Sequence, residues 1–160
     1  MIVSETYEVE DCLKYISSAS KTFSSSSTDW YSLADLTSNL GNCEITCKMK
    51  SSTNKGFRID LSSSNQYENK NRGSIGVDGS GYKFIAEYDA SGTSNMQYPQ
   101  QAYTQNTDLN CIISKTSSLD LTIDNFHYSF ASLSNLRYLG IVNWNNAKTV
   151  TITDLKVKPL

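Results

Sequence analysis

Histidine is almost missing from this chain: of 160 residues, only His127 is one. A nucleophilic triad needs a general base and a histidine-type metal centre needs several imidazoles, so His-based nucleophilic and zinc chemistry are both disfavoured. Proline occurs twice. The longest apolar run, around Leu139-Gly140-Ile141-Val142, is only a few residues. A membrane-spanning helix needs about 20, so no membrane insertion is expected. The opening, MIVSETYEVE, lacks a basic region and an apolar core, so no export signal is expected in this chain. That suits a mature fragment, an excised domain or a product assembled inside the cell. No Asn-x-Ser/Thr sequon occurs despite the wealth of Asn and Ser, which disfavours a glycosylated secretory protein. The net charge is −2 with both signs interspersed, so nucleic acid is not expected as a partner. No G-x-S-x-G elbow is present, and the glycines at 73, 76, 79 and 81 form neither a phosphate loop nor a dinucleotide fingerprint.

What is abundant is Ser, Asn, Thr and Tyr, a bias toward strands and polar loops. The stretch CEITCKMK alternates strictly. Cys43, Ile45, Cys47 and Met49 share one side, and Glu44, Thr46, Lys48 and Lys50 share the other. Period two predicts a half-buried strand. Residues four apart on a strand lie about 13 Å from each other, too far for Cys43 and Cys47 to form a disulfide or share a zinc ion. With Cys12 and Cys111, they are expected to be free thiols acting as small core hydrophobes.

Further alternation places Phe57, Ile59 and Leu61 against Arg58 and Asp60, and Leu121 and Ile123 against Thr122 and Asp124. Ile75 and Val77 lead through a Gly-rich link to Tyr82, Phe84, Ala86 and Tyr88, predicting a hairpin with those aromatics facing inward. Residues 138–144 read as a central strand covered on both faces, and a phase break at Thr153-Asp154 predicts a bulge near the C-terminus. Val150 and Ile152 join the expected core. Residues 11–19 and 32–40 could each hold a helical turn. About ten short strands without a composition shift predict one all-β domain over 1–160, an antiparallel two-sheet β-sandwich.

Catalysis finds little support. His127 falls on the polar phase of a strand between Phe126 and Tyr128. The acidic cluster Glu8-Val9-Glu10-Asp11 is the one concentration of carboxylates, and a glycosidase needs a pair facing each other across a cleft. Tyr82-Lys83-Phe84 echoes only part of a strand motif of sandwich lyases. No enzyme activity is expected. The best ligand candidates lie in 92–107, GTSNMQYPQQAYTQNT, a long segment without strand alternation. It sets Tyr98 and Tyr103 beside Gln97, Gln100, Gln101 and Gln105. Rings on which sugars can stack, with amides for their hydroxyls, suit a glycan. Tyr67 and Trp144 are further candidates outside the expected core, as is Tyr31.

The run from Trp30 through NCEITCKMKSS and GFRIDLSS, with the closing strand VTITDLKVK, resembles concanavalin A-like jelly-roll domains, including laminin G-like and carbohydrate-binding modules. Similar Ser/Asn/Tyr-rich domains occur in phage tail and baseplate proteins and in microbial adhesins. The resemblance covers most of the chain through strand order and general pattern. It implies jelly-roll topology and a non-catalytic module recognising glycans or cell-surface polymers, extracellular, on a cell surface or on a virion. The alternatives are a structural or oligomerising domain in a larger assembly, homo-oligomeric or built with other chains, and a polysaccharide-active enzyme. Some such modules hold a structural calcium ion between an N-terminal acidic strand and a C-terminal Asp. Glu8, Glu10 and Asp154, with Asp11, would be its ligands here.

Overall fold

The computed structural model describes residues 2–3, 6–9, 12–36, 41–131 and 133–160, with side chains from residue 15 onward. Fourteen strands occur among them: β1 (Ile2–Val3), β2 (Thr6–Val9), β3 (Cys12–Phe23), β4 (Asp29–Asp35), β5 (Cys43–Ser51), β6 (Phe57–Ser62), β7 (Arg72–Val77), β8 (Lys83–Tyr88), β9 (Ser94–Gln97), β10 (Leu109–Lys115), β11 (Ser118–Ile123), β12 (Phe126–Ala131), β13 (Tyr138–Asn143) and β14 (Lys148–Pro159). An eight-stranded sheet runs β1-β3-β14-β5-β10-β11-β12, with β2 also paired to β3. A six-stranded sheet runs β4-β13-β6-β7-β8-β9. The two antiparallel sheets form the jelly-roll sandwich.

The alternation in β5 is realised as read: Cys43, Ile45, Cys47 and Met49 are all buried. They meet Phe57, Ile59 and Leu61 of the other sheet in one core that includes Leu121, Ile123, Val150 and Ile152. β13 is hydrogen-bonded to β4 on one side and β6 on the other, as its apolar run predicts. The expected bulge lies in β14, where the register against β5 shifts between Thr153 and Lys156 and Asp154 takes φ 53°. Cys43, Cys47 and Cys111 are free and buried, and the side chain of Cys12 lies outside the described residues. Cys111 is directly opposite Cys47 across the β10–β5 ladder.

Three expectations need correction. Residues 12–19 and 32–35 are strand, not helical turn, and 37–40 lie outside the described residues. β3 is held extended by its long ladder with β14, from Lys148 opposite Phe23 to Val157 opposite Lys14. Tertiary pairing overrides so short a helical pattern. The segment 92–107 is not one free loop. It contributes β9 to the sheet edge, and Ala102 bridges back to Tyr82.

The third correction concerns the phase of β8. Ile75 pairs with Ile85, and both are fully buried in the core. Phe84, Ala86 and Tyr88 therefore face away from the core, in register with Gly76, Ser74 and Arg72. The apolar phase of β8 is its outer one because that outer face is itself covered.

Candidate functional site

Every residue of β6 and β7 is buried, although a sheet in a two-layer sandwich ordinarily shows water one face. The outer phase of these strands carries Arg58, Asp60 and Ser62 on β6 opposite Gly76, Ser74 and Arg72 on β7. The connection 63–71 and Trp144, in the link after β13, lie close to this face. Between them and the sheet is a cleft of about 270 Å³ lined by Arg58, Arg72, Tyr67, Tyr88, Trp144 and Phe84, with Asn69, Asp78, Gly79 and Met96.

Its base is a charged cluster around one carboxylate oxygen. Arg58 Nε donates to Asp60 Oδ1 at 2.8 Å, and Ser74 Oγ donates to the same oxygen at 2.7 Å. Arg72 Nη1 lies 3.7 Å from it and donates to Ser74 Oγ. Arg72 Nε donates to the Glu68 carbonyl at 2.7 Å, tying the 63–71 connection to the sheet. Burial lowers the pKa of Arg72; Asp60 opposes that shift and Arg58 reinforces it. One carboxylate thus serves two guanidinium groups.

Aromatic rings surround the cations. The Arg72 guanidinium lies 3.7 Å from the Tyr88 ring centre, and that of Arg58 lies 5.0 Å from Trp144 and 5.6 Å from Tyr67. Such contacts favour the charged forms by about 0.5–2 kcal/mol each. Small residues make room beneath. A Cβ on Gly76 would lie 2.4 Å from Arg58 Cβ, so only glycine lets the arginine cross there. Further along the same face, a Cβ on Gly140 would lie 2.4 Å from the Trp30 ring, which covers it and donates from Nε1 to Asn65 Oδ1 at 3.2 Å.

The wall carrying Trp144 is pinned by a buried lysine. Lys148 Nζ donates to the carbonyls of Gly56 (3.0 Å), Trp144 (2.8 Å) and Asn146 (2.8 Å) and to Asn143 Oδ1. Burial lowers its pKa to about 8. At the opposite rim, Asp78 Oδ1 accepts from the Ser80 and Tyr82 backbone N–H groups, both at 2.9 Å.

Of the residues picked from the sequence, Tyr67 and Trp144 line this cleft. Tyr98 stands beside it, its ring 6.3 Å from Phe84 and its hydroxyl 3.9 Å from Met96 Sδ. Burial, and then the charge of Asp78, raise its pKa. Tyr103 is a correction: it is buried, 4% exposed, and packs edge-on against Phe57 at 5.1 Å. Its hydroxyl accepts from Ser51 N–H at 3.0 Å and donates to the Thr107 carbonyl at 2.7 Å, which makes it a peg for the loop rather than a platform. Gln97 pairs with core-phase Ile85, and its amide donates to Asn95 Oδ1 at 2.8 Å, so it shares no face with the cleft. Gln101 lines a separate cleft of about 230 Å³ with Pro99, Asp124 and Phe126. Tyr98, Tyr103, Gln97 and Gln101 therefore do not converge with one another around 92–107.

Asp154 is exposed and accepts from the Tyr15 hydroxyl at 3.2 Å. The side chain of Glu8, and Glu10 and Asp11 entirely, lie outside the described residues. Among the described residues, no group of three His, Cys, Asp or Glu side chains is placed to hold a metal ion. His127, also exposed, lies 3.5 Å from Asp120 on the eight-stranded sheet, away from the cleft.

The sequence reading passes over Arg58, Arg72, Tyr88 and Phe84. A signal for them was present: Arg-x-Asp on one strand, Arg-x-Ser on the next and Phe-x-Ala-x-Tyr on the third fall on one shared phase once the strands are paired.

No family model and no curated protein matches the sequence. Solved structures show the fold. A sialidase superposes with a TM-score of 0.56 at 7% identity, over 96% of this chain; the chain spans only 16% of the sialidase's length. The carbohydrate-binding module CBM66 from Bacillus subtilis gives 0.53 at 9% identity, over 91% of this chain and 86% of the module. An endo-β-1,4-glucuronan lyase from the fungus Trichoderma reesei gives 0.54 at 7% identity, over 99% and 91%. The shared fold is the jelly-roll β-sandwich, found here in a binding module and in enzymes alike.

Proposed function

We propose that this chain is a non-catalytic glycan-binding module whose site is the cleft on the outer face of the six-stranded sheet. The observation that carries the reading is the lining itself: Tyr67, Tyr88, Trp144 and Phe84 supply ring faces and edges, and Arg58 and Asn69 supply polar groups. Sugars present apolar C–H faces and hydroxyl edges, and concave sites with rings and a few convergent polar groups match both. The fold shared with a carbohydrate-binding module supports this reading. Binding without catalysis is supported by the carboxylates nearby. Asp60 is ion-paired with Arg58 through Oδ1, which also accepts from Ser74, Asp78 is committed to a turn, and His127 lies on the other sheet. We place the module outside the cell, on a cell surface or on a virion, as part of a larger adhesin or tail assembly. The support for that context is the sequence resemblance.

The test is binding of the protein to a panel of oligosaccharides, with Tyr67→Ala/Trp144→Ala as the variant. An aromatic stack contributes about 1 kcal/mol beyond its buried area, so losing both rings is expected to weaken binding by more than tenfold at unchanged fold. Undiminished binding by the variant moves the site elsewhere. A protein that binds no glycan and forms a stable oligomer by light scattering is a scaffold instead.

A further inference from the structure

Resting on the glycan reading of this cleft, we infer that its ligand is an acidic sugar whose anionic group is taken by Arg58 and whose neighbouring hydroxyl reaches Asp60.

Two observations independent of the aromatic lining lead here. Arg58 is 7% exposed, yet its Nη2 has no hydrogen-bond partner; Asp60 is 1% exposed, and its Oδ2 has none. Elsewhere in the same molecule an arginine completes its fork: Arg137 Nε and Nη2 donate to the two oxygens of Asp35 at 2.7 and 2.8 Å. At Arg58 only the Nε half is made, because Asp60 Oδ1 also accepts from Ser74 and faces Arg72. A buried donor left without a partner is costly and rare in native proteins.

The second observation is charge. Arg58 and Arg72 share Asp60, so the base of the cleft holds one more positive than negative charge in a setting walled by rings. The carboxylate at the rim, Asp78, already accepts two backbone N–H groups. A second anion balances the base, and a planar carboxylate or a sulfate matches a guanidinium edge. The orphaned Asp60 oxygen asks for the opposite partner, a donor. A sugar acid carries an acceptor-only anion and hydroxyl donors on one ring, which is the pair of groups this cluster lacks. A neutral sugar supplies only the second.

Tyr67 controls the approach. Its ring lies over Arg58 and its hydroxyl donates to Asn69 Oδ1, both within the cleft lining. The two unpaired atoms are shielded from water, so the ligand reaches them when this ring, carried by the 63–71 connection, shifts aside and then stacks on the bound sugar.

The experiment compares neutral, carboxylated and sulfated oligosaccharides of equal length by calorimetry, at about 50 and 500 mM salt, with wild type and Arg58→Lys. Lysine keeps the charge and loses the planar fork. The expected result is at least tenfold preference for the anionic sugars over neutral ones, weakening with salt, and at least tenfold loss in folded Arg58→Lys, measured below its melting temperature. The carboxylated and sulfated arms identify which anion is taken. If Arg58→Lys does not fold, the preference and salt dependence of wild type decide alone. Equal or tighter binding of neutral sugars, insensitive to salt, overturns the acidic ligand and leaves the glycan site standing. Binding of no oligosaccharide at all overturns both.

Discussion

Lys148 shows how one residue carries both stability and site geometry. Its ammonium gathers three carbonyls and an amide oxygen around the turn that presents Trp144. Burial lowers its pKa from 10.5 to about 8 in the folded chain. Between those values the unfolded chain still holds the proton that the folded chain has released. Stability therefore rises with pH across that window through this group, by up to about 3 kcal/mol. Lys148→Met removes the titration and strands four oxygens. It is expected to melt lower than wild type at pH 7, with the gap widening from pH 8 to 10.5. Parallel melting curves over that range would show that Lys148 does not titrate there. Tyr103 makes the complementary case. Tyr103→Phe keeps the ring on Phe57 and removes the hydroxyl that serves Ser51 and Thr107. A loss of about 1–3 kcal/mol is expected, since a buried N–H is left unpaired, with glycan affinity unchanged. A drop in affinity without one in stability would return Tyr103 to the site.

At the scale of the element, the middle of the six-stranded sheet, β13, β6 and β7, is covered on both faces. Gly140 is where this is tightest, because Trp30 lies directly on it. Gly140→Ala must push the indole off β13 and is expected to cost about 1–3 kcal/mol as an overpacking change. Tryptophan fluorescence should report a more solvated ring, and an unshifted spectrum with an unshifted melting temperature would place Trp30 elsewhere. The strands themselves were readable where one face is wet. In β5, alternating Cys, Ile, Cys and Met against Glu, Thr and Lys named the buried face outright. In β8 the same rule misleads, because Phe84, Ala86 and Tyr88 are apolar on the phase that faces the cleft. Alternation says which phase is apolar; it does not say which apolar layer that phase meets.

For the whole molecule, the sandwich has one continuous core drawn from both sheets, so a single cooperative transition is expected. Ile59 lies fully buried in that core. Ile59→Asp is expected not to fold, since an unpaired buried charge costs several kcal/mol; a soluble variant melting cooperatively would refute this packing. Cys43, Cys47 and Cys111 should react with a thiol reagent only after unfolding. Burial raises the pKa of Cys43, and the hydrogen bond with Cys47, followed by burial, raises that of Cys111. Titration in denaturant without reductant is expected to find four thiols, and two would mean that one pair is oxidised, the facing Cys47 and Cys111 first.

The sequence by itself determined the all-β class, the antiparallel sandwich, the hairpin of β7 and β8, the central position of β13, the bulge in β14 and the core phase of β5, β6 and β11. These follow from period-two patterning and turn chemistry, which are local. It also marked Tyr67 and Trp144 through their types and their places outside the core pattern. Only the tertiary structure decided that Arg58, Asp60, Ser74 and Arg72 form one cluster, that Tyr88 and Trp144 stand over it, and that Tyr103 is a buried peg. Those facts depend on which strands pair, in what register, and on where the connections fold back. They join residues as far apart in the chain as Arg58 and Trp144, whose rows of alternation look alike whether the face they share meets water or a covering loop.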